Sequence, residues 1–274
     1  MISIITVVHN GLAMNQIFWE NLSRYTFHPF ELIVVDNMSS DGSREFFESK
    51  GAIVIANKAN YSYPYTQNQG IRQSKYDTIF FLNNDIIVSP DWDKRLMEAA
   101  DANGLEVITP VGIEMLEEDE LTKKIKRKWL KIKNPISLLG FSRMNLLIMH
   151  KLMYGNWEKF TNSRYKRFST SVKEGFIGNT VMMKRSAFEK IGLWDERIQG
   201  ADFDLYIRSK KRNLEIGDIK PVHVALGVFI HHYIRLTVKS TRAPFADKDK
   251  LISVEQKWGE DTMRYYCKDI NAFR

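Results

Sequence analysis

The chain of 274 residues is long enough for one large α/β domain or two small ones. Apolar residues make up 44% and charged residues 27%, which excludes a disordered chain, collagen and a coiled coil. The formal net charge of +7 favours anionic partners, and the single cysteine, Cys267, excludes a disulfide framework and a zinc site built on several thiolates.

Strand and helix patterns alternate over the first hundred residues. The opening apolar run has no basic segment before it, so we interpret it as a strand rather than a signal peptide. The alternation predicts an α/β fold with a mostly parallel sheet covered by helices on both faces. Strands are predicted at 2–8, 31–35, 52–56 and 78–82, and helices at 12–25, 44–50, 65–74 and 90–102.

The segment 114–170 departs from this rhythm. An acidic run at 117–120 is followed by a basic run at 123–133 and an apolar stretch at 137–153. A basic stretch beside an apolar one is typical of an interfacial membrane segment, so peripheral membrane contact through 121–150 is one interpretation. The alternatives are a solvated helix face beside a packed helix, and a nucleic-acid surface, which is disfavoured because no base-reading motif accompanies the charge.

The last hundred residues return to mixed patterns. A strand is predicted at 176–183, helices at 186–191 and 202–212, a β-rich run at 222–233 and a terminal helix at 248–266. No apolar run reaches the length of about 18 residues that crosses a bilayer. We therefore expect a cytoplasmic protein, either free or peripheral on the inner face of the membrane.

Polar side chains collect where three of the predicted strands end. In open α/β sheets, ligands bind beyond the carboxyl ends of the strands, so these clusters predict a site there. Each cluster taken alone is also what a turn requires, because Asn and Asp favour turns. The clusters are His9 with Asn10, Asp36 with Asn37, and Asn83, Asn84 and Asp85.

An ordered set of motifs runs through residues 1–235. They are IITVVHN at 4–10, IVVDNMSSDGS at 33–43, NQGI at 68–71, FFLNND at 80–85, GFIG at 175–178, IGLWDE at 191–196, GADFDLYIR at 200–208 and HH at 231–232. The set resembles glycosyltransferase family 2, whose members have the GT-A fold. The resemblance implies one GT-A domain with a Rossmann-like nucleotide-sugar-binding half at 1–112, the basic and apolar insert at 114–170, an acceptor and catalytic half at 171–235, and a helical extension at 236–274.

The resemblance also implies a divalent cation, Mn²⁺ or Mg²⁺, as cofactor. Transfer from a nucleotide sugar expels a nucleoside diphosphate, whose charge a metal ion neutralises. The family's Asp-x-Asp motif reads Asn-Asn-Asp here, so Asp85 alone would supply the carboxylate ligand. Adjacent residues on a strand face opposite ways, so only one of the two late histidines can reach the metal. By its match to the family we choose His231 over His232, and a histidine ligand favours Mn²⁺.

Asp202 is the expected catalytic base, which takes the proton of the acceptor hydroxyl. The family's Glu-Asp-x-Asp motif reads Ala-Asp-Phe-Asp here, and Asp202 holds the position of its first Asp. Asp204 does not share a helix face with Asp202, so we expect it to support the helix and to pair with Arg208. The resemblance implies one displacement with inversion at the anomeric carbon.

Further residues are assigned by the resemblance to a donor side and an acceptor side. Asp36 is expected to face the base or ribose of the donor nucleotide. Trp194 either stacks on an acceptor sugar or belongs to the core. The other donor-side residues are Val8, His9, Asn10, Asn37, Asn68, Asn83 and Asn84, and the acceptor side includes Gly178, Trp194, Asp195 and Glu196.

The sequence thus predicts a metal-dependent inverting glycosyltransferase. It would move a sugar from a nucleoside-diphosphate donor to a glycan or lipid-linked glycan acceptor, in cell-surface polysaccharide assembly, with no nucleic-acid partner. A sugar nucleotidyltransferase is disfavoured because no glycine-rich phosphate loop follows the first strand. A catalytically degenerate nucleotide-binding or scaffold domain is the competing hypothesis, which the departures at Asn83 and Ala201 keep open.

Overall fold

A computed structural model describes residues 1–234, 236 and 244–270 of the chain. Strands β1 to β10 are Ile2–Val8, Phe30–Asn37, Ile53–Asn57, Thr78–Asn83, Ile86–Ile87, Val107–Val111, Val172–Glu174, Thr180–Lys184, His223–Phe229 and His231–His232. Helices α1 to α11 are Leu12–Tyr25, Ser43–Ser49, Tyr63–Gln73, Trp92–Asn103, Asp119–Ser137, Arg143–Tyr154, Trp157–Phe168, Arg185–Ile191, Ala201–Glu215, Val254–Trp258 and Glu260–Tyr266. The central sheet has the strand order β3-β2-β1-β4-β8-β6-β9-β7.

The half of the sheet made by β3, β2, β1 and β4 is parallel throughout. Strands β1, β2 and β4 are near-continuous apolar runs because both faces of this half are buried. Their register places Val7 of β1 beside Val35 of β2 on one side and Asn83 of β4 on the other. The carboxyl ends of these strands therefore meet at one edge of the sheet, where the polar clusters follow.

The other half of the sheet mixes directions. Strand β8 runs antiparallel to both β4 and β6, β9 is parallel to β6, and β7 is antiparallel to β9. The prediction of an α/β fold with a mostly parallel central sheet flanked by helices is confirmed. The antiparallel β8 in the middle of the sheet is the feature that the alternation of strands and helices did not indicate.

Three predicted elements differ in the structure. The strand expected at 176–183 forms only at Thr180–Lys184, since Gly175, with a φ of 148°, and Gly178 lie in an irregular segment before it. The β-rich run at 222–233 divides, because β10 leaves the large sheet and pairs antiparallel with β5. The terminal helix expected at 248–266 is divided into α10 and α11 by Gly259, whose φ is 70°.

The insert folds as helices α5, α6 and α7. We call α5, α6 and the turn between them, residues 119–154, the helical hairpin. Its inner face packs into a core cluster with β5 and β9 through buried Trp129, Leu146, Met149 and Met153. Within the described residues, no helix combines the length and apolarity that a bilayer crossing requires.

The described part of the C-terminal segment packs against the rest of the protein. Met263 and Cys267 are buried in the same core cluster as Leu205 and Tyr206 of α9. The Asp247 carboxylate accepts hydrogen bonds from the Ser62 backbone N–H and hydroxyl, at 3.0 and 2.6 Å. The expected domain boundary at 235 and 236 adjoins residues outside the described part and stays a prediction.

Candidate functional site

A cleft with a volume of about 1100 Å³ opens beyond the carboxyl edge of the sheet. This volume exceeds the range of roughly 300–1000 Å³ that is usual for one small-molecule ligand. The cleft is therefore at least as large as a usual small-molecule site. Its lining includes Asn83 at the end of β4, Glu114 after β6, Lys123 and Lys126 of α5, Gly178 and Asn179 before β8, Asp202 of α9, and His232 of β10.

Asp202 lies in the first turn of α9, with its carboxyl group in the cleft lining. Burial raises the pKa of this carboxyl group, and backbone N–H donors at the start of the helix oppose that shift only in part. Gly178 packs directly against it, because a Cβ at position 178 would lie 2.3 Å from Asp202 Oδ2. A carboxylate with a raised pKa in a cleft is the arrangement that general bases use.

Asp85, His232, Glu114 and Asn179 form a hydrogen-bonded chain, of which His232, Glu114 and Asn179 line the cleft. His232 Nε2 lies 3.1 Å from Asp85 Oδ1, and His232 Nδ1 contacts Glu114 Oε1. Asn179 Nδ2 donates to the same Glu114 oxygen at 3.0 Å. Burial lowers the pKa of His232, but Asp85 and Glu114 outweigh it and raise that pKa to about 10.

In the structure His232, and not the expected ligand His231, lies beside Asp85. β10 pairs with β5 so that His232 lies opposite Ile86, next to Asp85, and the alternation of the strand turns His231 the other way. His231 is fully buried among aromatic rings, with Nδ1 2.9 Å from the Tyr154 hydroxyl and the Trp129 ring 5.1 Å away. Burial lowers the pKa of His231 well below its usual value.

The residues around Asp85 fit a divalent cation that is shared with a substrate. Among the described residues, no group of three or more His, Cys, Asp or Glu could hold an ion alone. Two ligands with bonds of about 2.1 Å at a right angle lie about 3 Å apart, which agrees with the Asp85–His232 separation. Glu114 Oε2 and Asn179 Oδ1 are buried oxygen atoms without a hydrogen-bond partner. Such a site suits an ion that completes its shell with phosphate oxygens and water.

The clusters after β1 and β2 are joined to each other. His9 Nδ1 lies 2.6 Å from the Asn37 carbonyl oxygen, and the Ser40 backbone N–H donates to Asn10 Oδ1 at 2.8 Å. The buried Asp36 carboxylate accepts from Arg44 Nε and Nη2 at 3.1 and 3.0 Å. The structure therefore brings these expected donor-side residues together, with Asp36 oriented by Arg44.

Several residues expected on the donor side make their contacts within the protein. Asn68 holds the backbone of Trp194, donating to its carbonyl at 2.9 Å and accepting from its N–H at 3.2 Å. The Asn37 amide is bonded to Asn57 and Asn60, at 2.9 and 3.1 Å. The Val8 side chain is buried in the core, so only its backbone can face a ligand. The donor contacts expected of Val8, Asn37 and Asn68 stay predictions, and the side chains of all three have partners within the protein.

Asn83 and Asn84 differ in their surroundings. Asn83 lines the cleft, and its backbone N–H donates to the Asn179 carbonyl at 2.9 Å. Asn84 Nδ2 instead donates to Asn15 Oδ1 of α1 at 2.7 Å. Of these two neighbours, Asn83 is the one placed where a substrate in the cleft can contact it.

The expected acceptor-side residues beyond Gly178 also have structural partners. Trp194 is buried in the core with its ring 5.2 Å from that of Phe81, which decides between the two interpretations of this residue. Asp195 pairs with Arg197 and Lys257, both at 2.8 Å, and these cations lower its pKa. Glu196 accepts from Asn68 and Arg72. None of these three side chains lines the cleft, and the expected place of Trp194, Asp195 and Glu196 on the acceptor side stays a prediction.

Sequence reasoning missed Glu114 and Asn179. Glu114 lies three residues after the end of β6, so the rule that polar residues at strand ends mark a site would have found it once β6 was recognised. Asn179 lies in the irregular segment that was expected to be strand. Lys126, on the cleft side of α5, was assigned to the basic run alone.

The comparisons with known proteins agree with this architecture. The family model for glycosyl transferase family 2 matches residues 3–192. The structure of GalNAc-T7 with UDP, GalNAc and Mn²⁺ is similar at a TM-score of 0.61 and 12% identity, over 97% of this chain and 49% of that chain. Staphylococcus aureus TarS 1-349 with UDP is similar at a TM-score of 0.52 and 14% identity, over 84% of this chain and 60% of that chain.

A relative from Haemophilus influenzae is described as an uncharacterized glycosyltransferase. It is 30% identical over 106 residues, so the matched part is 38% of this chain and 35% of that protein. Together with the sheet order and the cleft, the structural neighbours define a protein of the GT-A fold class. Since the family model covers well over half of its residues, the chain belongs to glycosyl transferase family 2.

Proposed function

We propose that this protein transfers a sugar from a nucleoside-diphosphate donor to an acceptor hydroxyl, with inversion at the anomeric carbon. The observation that carries the proposal is one cleft with two kinds of group in its lining. Asp202 offers a carboxylate with a raised pKa, and His232 lies beside Asp85 as a second ligand for a cation. GalNAc-T7, with the same fold, was solved with UDP and Mn²⁺, which supports this class of donor and metal.

The residues divide the reaction between them. Asp202 takes the proton of the acceptor hydroxyl while the acceptor oxygen bonds to the anomeric carbon, and the bond from that carbon to the diphosphate breaks. Asp85 and His232 would hold Mn²⁺ or Mg²⁺, which supplies charge neutralisation to the leaving diphosphate. Glu114 orients the His232 ring through Nδ1, as carboxylates commonly do for metal-bound histidines. Asp36 and Arg44 would face the nucleoside.

For the acceptor we propose a glycan or a lipid-linked glycan, used in cell-surface polysaccharide assembly at the cytoplasmic face of the membrane. The volume of the cleft supports an acceptor larger than a monosaccharide. Lys123 and Lys126 in its lining favour an acceptor that carries negative charge.

A thermal-shift screen of UDP, GDP, dTDP and CDP, each with and without Mn²⁺, tests the proposal. We expect one nucleotide to raise the melting temperature in a metal-dependent way, because a ligand that binds only the folded state stabilises it. Asp85→Ala and His232→Ala should remove the metal-dependent part of the shift, whereas His231→Phe should keep it. A shift with His232→Ala equal to that of the unaltered protein would contradict the assignment.

The alternative is a catalytically degenerate nucleotide-binding domain. Asn83 and Ala201, which stand where the family has carboxylates, favour it. Donor hydrolysis separates the two, since a degenerate domain binds the nucleotide sugar without releasing the nucleoside diphosphate. If the unaltered protein hydrolyses the donor and the Asp202→Asn variant does not, the degenerate-domain alternative is excluded.

A further inference from the structure

Exposed apolar side chains concentrate on the helical hairpin. In its turn, Leu138 is 85% exposed and Leu139 is 77% exposed, and Met144 at the start of α6 is 71% exposed. Surfaces of this kind in a soluble protein commonly mark an interaction site. Leu130, Phe141, Leu147, Ile148 and Leu152 extend the same surface, whereas the other exposed large apolar side chains of the described residues are scattered over the molecule.

The periodicity of α6 shows that this surface is separate from the core. Leu146, Met149 and Met153 face inward and are buried. Met144, Ile148 and Leu152, spaced four residues apart, form a stripe on the outer face. The stripe begins next to the turn, so turn and stripe make one apolar surface, which we call the apolar tip: Leu138, Leu139, Phe141, Met144, Ile148 and Leu152.

The apolar tip lies within the most basic part of the chain. Residues 121–153 hold nine Lys and Arg and no Asp or Glu. The net charge of the whole chain is +7, so the remainder of the chain carries a net charge of −2. Lys124, Lys126 and Lys131 on α5 are exposed to solvent. A surface that joins apolar side chains to a dense positive charge is complementary to an anionic bilayer.

We propose that the apolar tip inserts into the interface of an anionic lipid bilayer while the lysines of α5 contact the lipid head groups. A second copy of this chain is the weaker occupant, because two such basic surfaces would repel each other. Insertion into a lipid surface accommodates both features, since the side chains of the apolar tip reach the acyl region and the lysines of α5 remain at head-group depth.

This docking deepens the proposed function, on which it rests, by bringing the cleft to the membrane. Thr122, Lys123 and Lys126 of α5 line the cleft, and Leu138 directly follows the last residue of the same helix. Twelve residues separate Lys126 from Leu138, which is about 18 Å along a helix axis. An acceptor on a lipid-linked diphosphate would therefore stay in the head-group region while its sugar reaches the cleft.

The experiment is co-sedimentation of the full chain with vesicles of phosphatidylglycerol mixed with phosphatidylcholine, and with vesicles of phosphatidylcholine alone. We expect binding to the anionic vesicles only, falling as salt is raised. Leu138→Asp with Leu139→Asp should weaken binding at least about tenfold. The matched control is Leu214→Asp with Ile216→Asp, two apolar residues exposed to 55% and 58% elsewhere on the surface, which should bind as the unaltered protein does.

Charge is tested separately with Lys124→Gln and Lys131→Gln, each of which should weaken binding about fivefold. The proposal would be overturned if the Leu138 and Leu139 double variant bound anionic vesicles as well as the unaltered protein does. It would also be overturned if the unaltered protein bound neutral vesicles as well as anionic ones. A third contrary outcome is an unaltered protein that binds no vesicles and is a dimer in solution, with a double variant that is a monomer.

The nucleotide-dependent thermal shift of the double variant should equal that of the unaltered protein. Loss of vesicle binding with an intact nucleotide shift is therefore specific to the apolar tip. A protein that binds anionic vesicles but no nucleotide contradicts the proposed function and leaves the bilayer assignment in place.

Discussion

The contact between Gly178 and Asp202 decides how the carboxylate is presented to the cleft. No other residue type fits at position 178 without moving Asp202, because any Cβ would overlap Oδ2. Gly178 has no positive φ, so the backbone itself accepts alanine. The requirement at this position is therefore steric, and it concerns the orientation of the Asp202 carboxylate rather than the stability of the fold.

Gly178→Ala should reduce transfer strongly while leaving the melting temperature nearly unchanged. The added methyl group pushes the Asp202 carboxyl group, which can rotate into the cleft but then no longer points at the acceptor. Gly70→Ala is the contrasting variant, since its Cβ would lie 2.4 Å from Cγ2 of Ile5 in the core. It should lower the melting temperature instead, and equal losses of stability in the two variants would contradict this account.

Asp202→Asn should lower kcat by about 10²- to 10⁴-fold, the contribution of a general base, while nucleotide affinity is retained. Because burial raises the pKa of Asp202, its carboxylate becomes protonated at a higher pH than that of an ordinary aspartate. The acid limb of the kcat/KM profile should therefore lie at a higher pH than the usual Asp pKa of about 3.9. A pH profile of the unaltered protein and isothermal titration of the variant check these outcomes.

The same substitution should lower activity but should not lower the free energy of unfolding. A carboxyl group with a raised folded-state pKa is protonated in both states well below its unfolded pKa, and its charge costs stability as the pH rises through the folded pKa. Asp202→Asn should then match or exceed the unaltered protein in free energy of unfolding at neutral pH. The difference should disappear in acid, and urea denaturation at two pH values measures it.

At the scale of elements, the start of α9 is joined to α10 through Asp204. Its buried carboxylate accepts from Arg208 at 2.8 Å and from Trp258 Nε1 at 2.8 Å, and Lys257 Nζ lies 2.6 Å away. The expected pairing of Asp204 with Arg208 is present in the structure. This network fixes the helix on which Asp202 stands, without lining the cleft itself.

Lys257→Met should lower the free energy of unfolding by about 1–3 kcal/mol, because it removes a cation from the buried Asp204 and from Asp195. Arg264→Met, in the neighbouring α11, is the control. Its partner Glu260 and Arg264 itself are 75% and 72% exposed in their side chains, so about 0–1 kcal/mol is expected. Urea unfolding of both variants tests the contrast, and an equal loss would show that the Asp204 network does not join these elements.

The elements that the sequence predicts well are those whose pattern is local. Strands β1, β2 and β4 are short apolar runs followed by polar residues, and each begins and ends within two residues of its prediction. The position of β10 depends on its partner β5, which is two residues long and gives no pattern of its own. For that reason the alternation rule could show that one histidine faces Asp85, but only the pairing shows that it is His232.

At the scale of the whole molecule, the cleft joins residues that lie far apart in the sequence. Asp85 and Asp202 were identified from motifs, because each follows or begins a regular element. Glu114 and Asn179 were not, since their place depends on β6 and β8 meeting in the sheet. Asn68 and Trp194 belong to recognisable motifs, yet they hold each other across 126 residues, and a motif alone does not separate support from substrate contact.

The burial of Cys267 makes the chain suitable for fluorescence spectroscopy. Its side chain is 1% exposed, and burial raises the pKa of the thiol to about 11, so it stays protonated and hidden from maleimide reagents at neutral pH. A cysteine introduced on the protein surface would be the only readily labelled thiol. An environment-sensitive dye attached to a cysteine at position 139 would then report a change in the polarity of its surroundings. Because only that cysteine carries the dye, the natural cysteine need not be removed.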